Sequence, residues 1–272
     1  MSINHNENMA YWFAVNNFVR GKWNNSNTTS PIILAKSCHD MDLLVYLTGK
    51  KCLRLSSFGN VGYFSPQNAP KGAGTRCTVD CKVADTCPYN VVKFNINPPH
   101  NIAKFRANDY IEDEEALKQD MSTSPWGRCV FACDNNVPDH QVVSMEFEDN
   151  ITAVFSLSAF TYEHCRTIKI MGTLGEVGGD MEKGEIELKI FGEDETEKMI
   201  VENDILQHGG GDEGIIRAFT DSIDGKGGRN LTSAKESLHS HMMCFAAEES
   251  RTHGGAVIDM AEFTQKYKDM LQ

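Results

Sequence analysis

The chain has no apolar run approaching the roughly 20 residues that a helix needs to cross a bilayer, so a helical membrane protein is not expected. Its opening residues, MSINHNENMA, contain neither a basic stretch nor an apolar core. No secretion signal is therefore expected, and the cytoplasm is the expected location. Without secretion, the Asn-x-Ser/Thr matches at Asn24, Asn27, Asn150 and Asn230 carry no glycosylation meaning. Positive charge is in short supply: 26 Lys and Arg stand against 38 Asp and Glu, a net charge of -12. That balance argues against nucleic acid and against anionic membranes as partners. No repeat or low-complexity segment is visible. The odd count of 9 cysteines, in a reducing compartment, disfavours a disulfide framework and leaves the thiols reduced, buried or metal-bound.

What is present describes a globular domain. With 272 residues and 40% hydrophobic content the chain can bury a sizeable core, and the expectation is one α+β domain over residues 1–272. Residues 8–19 mix aromatic and β-branched side chains and read as a first strand; a helix follows over residues 30–49 and a strand over residues 52–58. Residues 62–127 are irregular and rich in Cys and Pro, with one acidic helical piece near residues 112–118; such an insertion needs a function or a staple. Clean alternation then begins. Val143, Met145 and Phe147 share a face, Asp149 and Asn150 make a turn, and Ile151, Ala153, Phe155 and Leu157 return as the second strand of a hairpin. Further strands are expected over residues 167–171, 185–191 and 198–201, and helices over 213–223 and 234–251. This order predicts an open, mainly antiparallel β-sheet with helices packed on one face, the second face being available for homo-oligomer contacts.

The helix over residues 30–49 carries chemistry on one turn. Pro31 suits a first helical position, Gly49 suits the stop, and Ile33, Leu34, Leu43, Leu44 and Leu47 supply an apolar face. Lys36, His39 and Asp40 are three and four apart, so they can share one patch. A histidine there can shuttle protons near neutral pH, and a neighbouring lysine can stabilise an oxyanion or hold an anionic substrate. The alternative is a packed or capping His39 with a solvated Lys36.

The segments ENMAYWFAVNNFVRGKW (7–23), the helix above, CLRLSSFG (52–59), RTIKIMGTLGEVGG (166–179), HGGGDEGIIRAF (208–219) and SAKESLHSHMMCFAAEESR (233–251) come in the order of one family. Together they resemble the C-terminal domain of the Gfo/Idh/MocA family of NAD(P)-dependent oxidoreductases. The resemblance covers nearly the whole chain and implies that the N-terminal Rossmann domain is missing. It places the family's catalytic histidine on His39 and its following aspartate on Asp42; the earlier aspartate falls on Ala35, a departure that Lys36, of opposite charge, does not repair. It implies NAD or NADP bound through that missing domain, which a separate chain could supply, and a small sugar- or polyol-like substrate. The chain is then not expected to be active alone. It also implies homo-oligomers formed through the sheet.

Other segments offer candidates. Residues 209–214 satisfy G-x-G-x-x-G, but the polar residues before them and the lack of a β-α-β pattern argue against a dinucleotide site. The alternatives are a glycine turn at a helix start that brings His208 and Asp212 to substrate oxygens, or a turn with Asp212 as its cap. The polar stretch of residues 129–141 puts Asp139 and His140 before the strongest strand, as polyol recognition or as a polar turn. His164 and Arg166 could reach the same cleft, with Arg166 equally suited to a structural ion pair; His239 and His241 are read as structural. Cys77, Cys81 and Cys87, with Cys133 or Cys129 as fourth ligand, could hold a structural zinc, against buried thiols or an iron–sulfur cluster. Two other functions stay open: a non-catalytic oligomeric ligand-binding module, and a metal-dependent hydrolase using His39, His140 and His208.

Overall fold

The computed structural model describes residues 1–95, 111, 113–201, 211–226 and 234–270. Nine strands form one sheet: β1 Ser2–Ala10, β2 Cys52–Asn60, β3 His140–Phe147, β4 Ile151–Thr161, β5 Cys165–Met171, β6 Gly175–Asp180, β7 Glu185–Ile190, β8 Thr196–Ile200 and β9 Ile258–Asp259. Their spatial order is β8-β7-β6-β5-β1-β4-β3-β2-β9. All neighbours are antiparallel except β1 and β4. The helices are α1 Tyr11–Ala14, running into a π turn at Val15–Val19, α2 Ile32–Ala35, α3 Cys38–Thr48, α4 Val91–Asn95, α5 Glu114–Thr123, α6 Gly211–Ile223, α7 Ala234–Thr252 and α8 Met260–Asp269. Helices α2, α3, α7 and α8 pack together and on the β1-to-β2 half of the sheet. Between them lies the main core, where Phe147, Phe155, Val143, Met41, Leu44 and Met243 are buried. The expected α+β architecture is the observed one.

The hairpin is where local sequence decides most. Val143, Met145 and Phe147 on β3 and Ile151, Ala153, Phe155 and Leu157 on β4 all point into the core. Asp149 and Asn150 have φ of 59° and 58°, the left-handed pair that a tight turn needs and that these two residue types tolerate.

Three expectations need correction. The first strand is residues 2–10, not 8–19, which instead form α1 and the π turn. The alternation that marks β1 is Ile3, His5, Glu7 and Met9, all buried, and its two titratable members hide the pattern from a reading by hydrophobicity. The helix expected over 30–49 is two helices, interrupted at Lys36 and Ser37. Gly49, at φ 61°, ends α3 as expected. Finally β6 and α8 were not anticipated: β6 is glycine-rich and carries little β-propensity.

Candidate functional site

The break between α2 and α3 turns Asp40 inward at the start of α3, under the sheet residues His5 and Glu7. All three are fully buried. His5 Nε2 lies 2.7 Å from Asp40 Oδ1, and Arg166 Nε donates to the same oxygen at 2.8 Å. The other arm of the Arg166 guanidinium lies 2.6 Å from Glu7 Oε2, while Lys36 Nζ is 3.2 Å from Glu7 Oε1. His164 Nε2 is 4.0 Å from that oxygen, and its Nδ1 accepts from the backbone N–H of Ala10 at 3.4 Å. Among the described residues, both Glu7 carboxylate oxygens, Asp40 Oδ2, His5 Nδ1 and Ser37 Oγ are buried without a hydrogen-bond partner, the Glu7 oxygens being held by ion pairs.

Electrostatics follow the packing. Burial pushes the Glu7 carboxyl up, against the opposing pull of Lys36. Burial would do the same to Asp40, but His5 and Arg166 outweigh it and hold that carboxyl below its usual range. Burial also works against the Arg166 cation, yet Asp40 and Glu7 more than compensate, so its pKa is raised. The His164 imidazole is driven down to about 4, first by burial and then by Lys36 and Arg166, and is neutral at pH 7.

Two groups of aromatic rings lie near the site, one beside this cluster and one leading to His140. Lys36 Nζ stands 5.4 Å from the centre of the Phe13 ring, which packs 4.6 Å from His164 and 6.0 Å from Trp12. The adjacent Tyr11 meets Tyr89 edge-on at 6.3 Å, Tyr89 meets Tyr63 at 5.9 Å, and Tyr63 meets Phe160 at 5.9 Å. Phe160 in turn lies 6.5 Å from His140. His140 Nδ1 is 2.7 Å from Asp139 Oδ1, and Asp139 Oδ2 accepts from the Tyr63 backbone N–H at 2.7 Å. Asp139 is thus a buried orienting carboxylate and His140 a half-exposed imidazole.

The structure therefore brings Lys36 and Asp40 into one cluster and Asp139 and His140 into another, each bordered by aromatic rings. His39 is exposed on the first turn of α3, whereas its neighbour Asp40 is the buried one. Asp42 accepts from Ser240 Oγ at 3.0 Å and ties α3 to α7. Asp212 is exposed on the first turn of α6, and His208 lies outside the described residues. His239 accepts from the Cys52 backbone N–H at 3.1 Å, a structural role as read. Cys77, Cys81, Cys87 and Cys129 line one small cavity, while Cys133 Sγ faces the Cys129 carbonyl oxygen at 3.2 Å, so Cys129 rather than Cys133 joins the three. As the side chains stand, no group of three or more His, Cys, Asp or Glu among the described residues is arranged to hold a metal ion. A wide groove of ≈ 1090 Å³ lies elsewhere, between the end of α3, β2, α7 and α8, and is lined by none of Lys36, His39, Asp139 and His140.

No family model matches the chain, and no curated protein does. Solved structures do. A levoglucosan dehydrogenase, in complex with NADH and levoglucosan, superposes with a TM-score of 0.57 at 12% identity, over 96% of this chain and 58% of that one. An oxidoreductase domain protein from Kribbella flavida gives 0.57 at 12% identity, over 95% and 59%. A super-repressor mutant of Gal80p from Saccharomyces cerevisiae gives 0.57 at 13% identity, over 96% and 58%. The chain shares its fold with these proteins. It spans just over half the length of each. At such identities the likeness concerns the fold, and no helix among the described residues is long and apolar enough to cross a membrane.

Two site residues escaped the sequence reading, His5 and Glu7. The available signal was a period-2 pattern in which every second residue of SINHNENMA is inward, including an acid and an imidazole. Such residues tolerate burial only with partners, and those partners, Asp40, Arg166 and Lys36, come from distant positions.

Proposed function

We propose that this chain is a single α+β unit that binds substrate and forms oligomers as part of a nicotinamide-dependent oxidoreductase acting at C–OH or C=O of a sugar- or polyol-like compound. The observation that carries this reading is two groups of aromatic rings, Trp12 with Phe13 beside one polar cluster and Tyr11, Tyr89, Tyr63 and Phe160 leading to the other, which adjoin in the chain. Sugar rings present apolar C–H faces and polar edges, so aromatic faces flanked by charged groups suit them. Asp139 orients His140 for hydroxyl contacts, and Asp212 adds a polar group from the start of α6, with His208, outside the described residues, kept as a candidate substrate contact.

His39 is the general acid/base, its exposed imidazole taking the hydroxyl proton on oxidation and returning it on reduction. Lys36, anchored by Glu7, supplies positive potential toward the oxygen. The described residues contain no β-α-β nucleotide unit: the parallel pair β1 and β4 is separated in the chain by β2 and β3. NAD or NADP is therefore assigned to a nucleotide-binding domain outside these residues, and the hydride step belongs there.

The test joins or mixes the chain with a nucleotide-binding domain of this enzyme class and screens sugars and polyols. His39→Ala should lower kcat by about two to four orders of magnitude with the fold intact. A variant that keeps kcat and loses only affinity would make His39 a binding residue. The likeness to Gal80p, described as a transcriptional regulator in a second solved structure, supports one other reading, a non-catalytic ligand-binding module. That reading predicts sugar-induced thermal stabilisation with no turnover in any pairing.

A further inference from the structure

Arg20 is a buried cation that no carboxylate among the described residues meets. Its residue is 1% exposed, and its donors go to neutral groups: the Arg128 carbonyl at 2.7 Å, the Tyr89 carbonyl at 2.5 Å and, more distantly, the Asn16 side-chain oxygen at 3.4 Å. One more arm reaches Cys77 Sγ at 3.6 Å. Among the described residues no Asp or Glu pairs with it. A buried guanidinium normally carries a counter-charge, because taking an unpaired ion out of water is costly.

The same guanidinium borders a cavity of ≈ 10 Å³ lined by Cys77, Cys81, Cys87 and Cys129. That is the space of a single small particle rather than of a multi-atom cluster. The loops that carry the four thiols are built to hold them there. Asp80 accepts from the backbone N–H groups of Thr75 and Arg76 at 2.9 and 2.8 Å, closing a turn that contains Cys77 and leads directly into Cys81. The Cys87 N–H donates to the Val83 carbonyl at 3.0 Å. The Cys77 N–H donates to the Gly127 carbonyl at 3.0 Å and the Cys129 N–H to the Thr75 carbonyl at 2.8 Å, so Cys129 is brought to the insertion by a short antiparallel ladder.

We propose that Cys77, Cys81, Cys87 and Cys129 bind one structural zinc ion, with Arg20 as the buried counter-charge of the site. The thiols must turn about their Cα–Cβ bonds to meet an ion at about 2.3 Å, since they do not stand in that arrangement now. Binding forms four Zn–S bonds and releases four thiol protons to solvent. A zinc ion with four thiolates is a dianion, and Arg20 neutralises half of that charge inside the protein. Four sulfurs leave no open coordination position, so the ion holds the insertion rather than reacting. The site lies outside the oxidoreductase reading and stands or falls without it.

Elemental analysis of the whole chain, purified without chelator, should find about one zinc per molecule. Cys81→Ser and Cys129→Ser should each lose it, and Cys133→Ser should keep it. If the serine variants fail to fold, cobalt substitution of the wild-type protein replaces them: intense thiolate-to-cobalt absorption with tetrahedral visible bands supports the site. Four of the 9 thiols should resist a thiol reagent until the metal is stripped. Less than about a tenth of a zinc per chain, with thiols equally reactive before and after chelator, overturns the site. So do iron with labile sulfide, disulfides among the four cysteines, or octahedral cobalt spectra.

Discussion

His164 shows at the residue scale how tertiary packing sets chemistry. Its imidazole lies beside Lys36 and Arg166 and is driven from 6.5 to about 4. The folded state therefore resists protonation that the unfolded chain accepts. Stability contributed this way is present above pH 6.5 and is lost as pH falls toward about 4, by up to about 3 kcal/mol. Glu7 works in the opposite sense, since its raised pKa removes stability as pH rises above 4.5. Comparing the wild-type protein with His164→Gln isolates the histidine. Urea unfolding at pH 7 and at pH 4.5 should show a larger acid loss in the wild type; equal losses would mean that His164 titrates normally when folded.

At the element scale, α3 is held by its two ends. Asp40 anchors its start through His5 and Arg166, and Gly49 closes it in a left-handed conformation at φ 61°. A methyl group at Gly49 would touch nothing within 4 Å, so the cost of Gly49→Ala is one of backbone conformation alone. It should destabilise the protein by about 1 kcal/mol, read from denaturant midpoints at unchanged m-value. A neutral result would show that the last turn of α3 refolds around another cap. The same logic explains why Asp149 and Asn150 serve the β3–β4 turn, where both φ values are positive.

At the scale of the whole molecule, the outer half of the sheet has a bare apolar row. Cross-strand pairing puts His5, Ile168, Gly179, Ile186 and Met199 on one face, the face that the helices cover farther along. Beyond the helices this row emerges, with Ile186, Ile190 and Met199 exposed. The opposite face carries Asn4, Lys169, Glu176 and Glu187, which suit water or a polar contact. We therefore expect self-association through the outer apolar row, with sedimentation showing an oligomer at micromolar concentration. Ile186→Lys with Met199→Glu should weaken it at least about tenfold by exposing charge in a desolvated contact. A wild-type chain that remains monomeric at high concentration would remove this interface.

The sequence by itself determined the fold class, the hairpin of β3 and β4 and the end at Gly49 of the helix that carries His39, though not the break at Lys36 and Ser37 before it, because these rest on local periodicity and on the backbone preferences of Asp149, Asn150 and Gly49. It also placed Cys77, Cys81 and Cys87 together as candidates through their spacing. Only the tertiary structure decided that His5 and Glu7 are buried, that Asp40 turns inward while His39 stays exposed, and that Cys129 is the cysteine that joins the other three. The partners involved are 35 positions apart for His5 and Asp40, and 126 for Asp40 and Arg166. Side-chain periodicity carries no information over such separations. Whether a polar residue can be buried depends on which distant charge the topology of the sheet delivers to it.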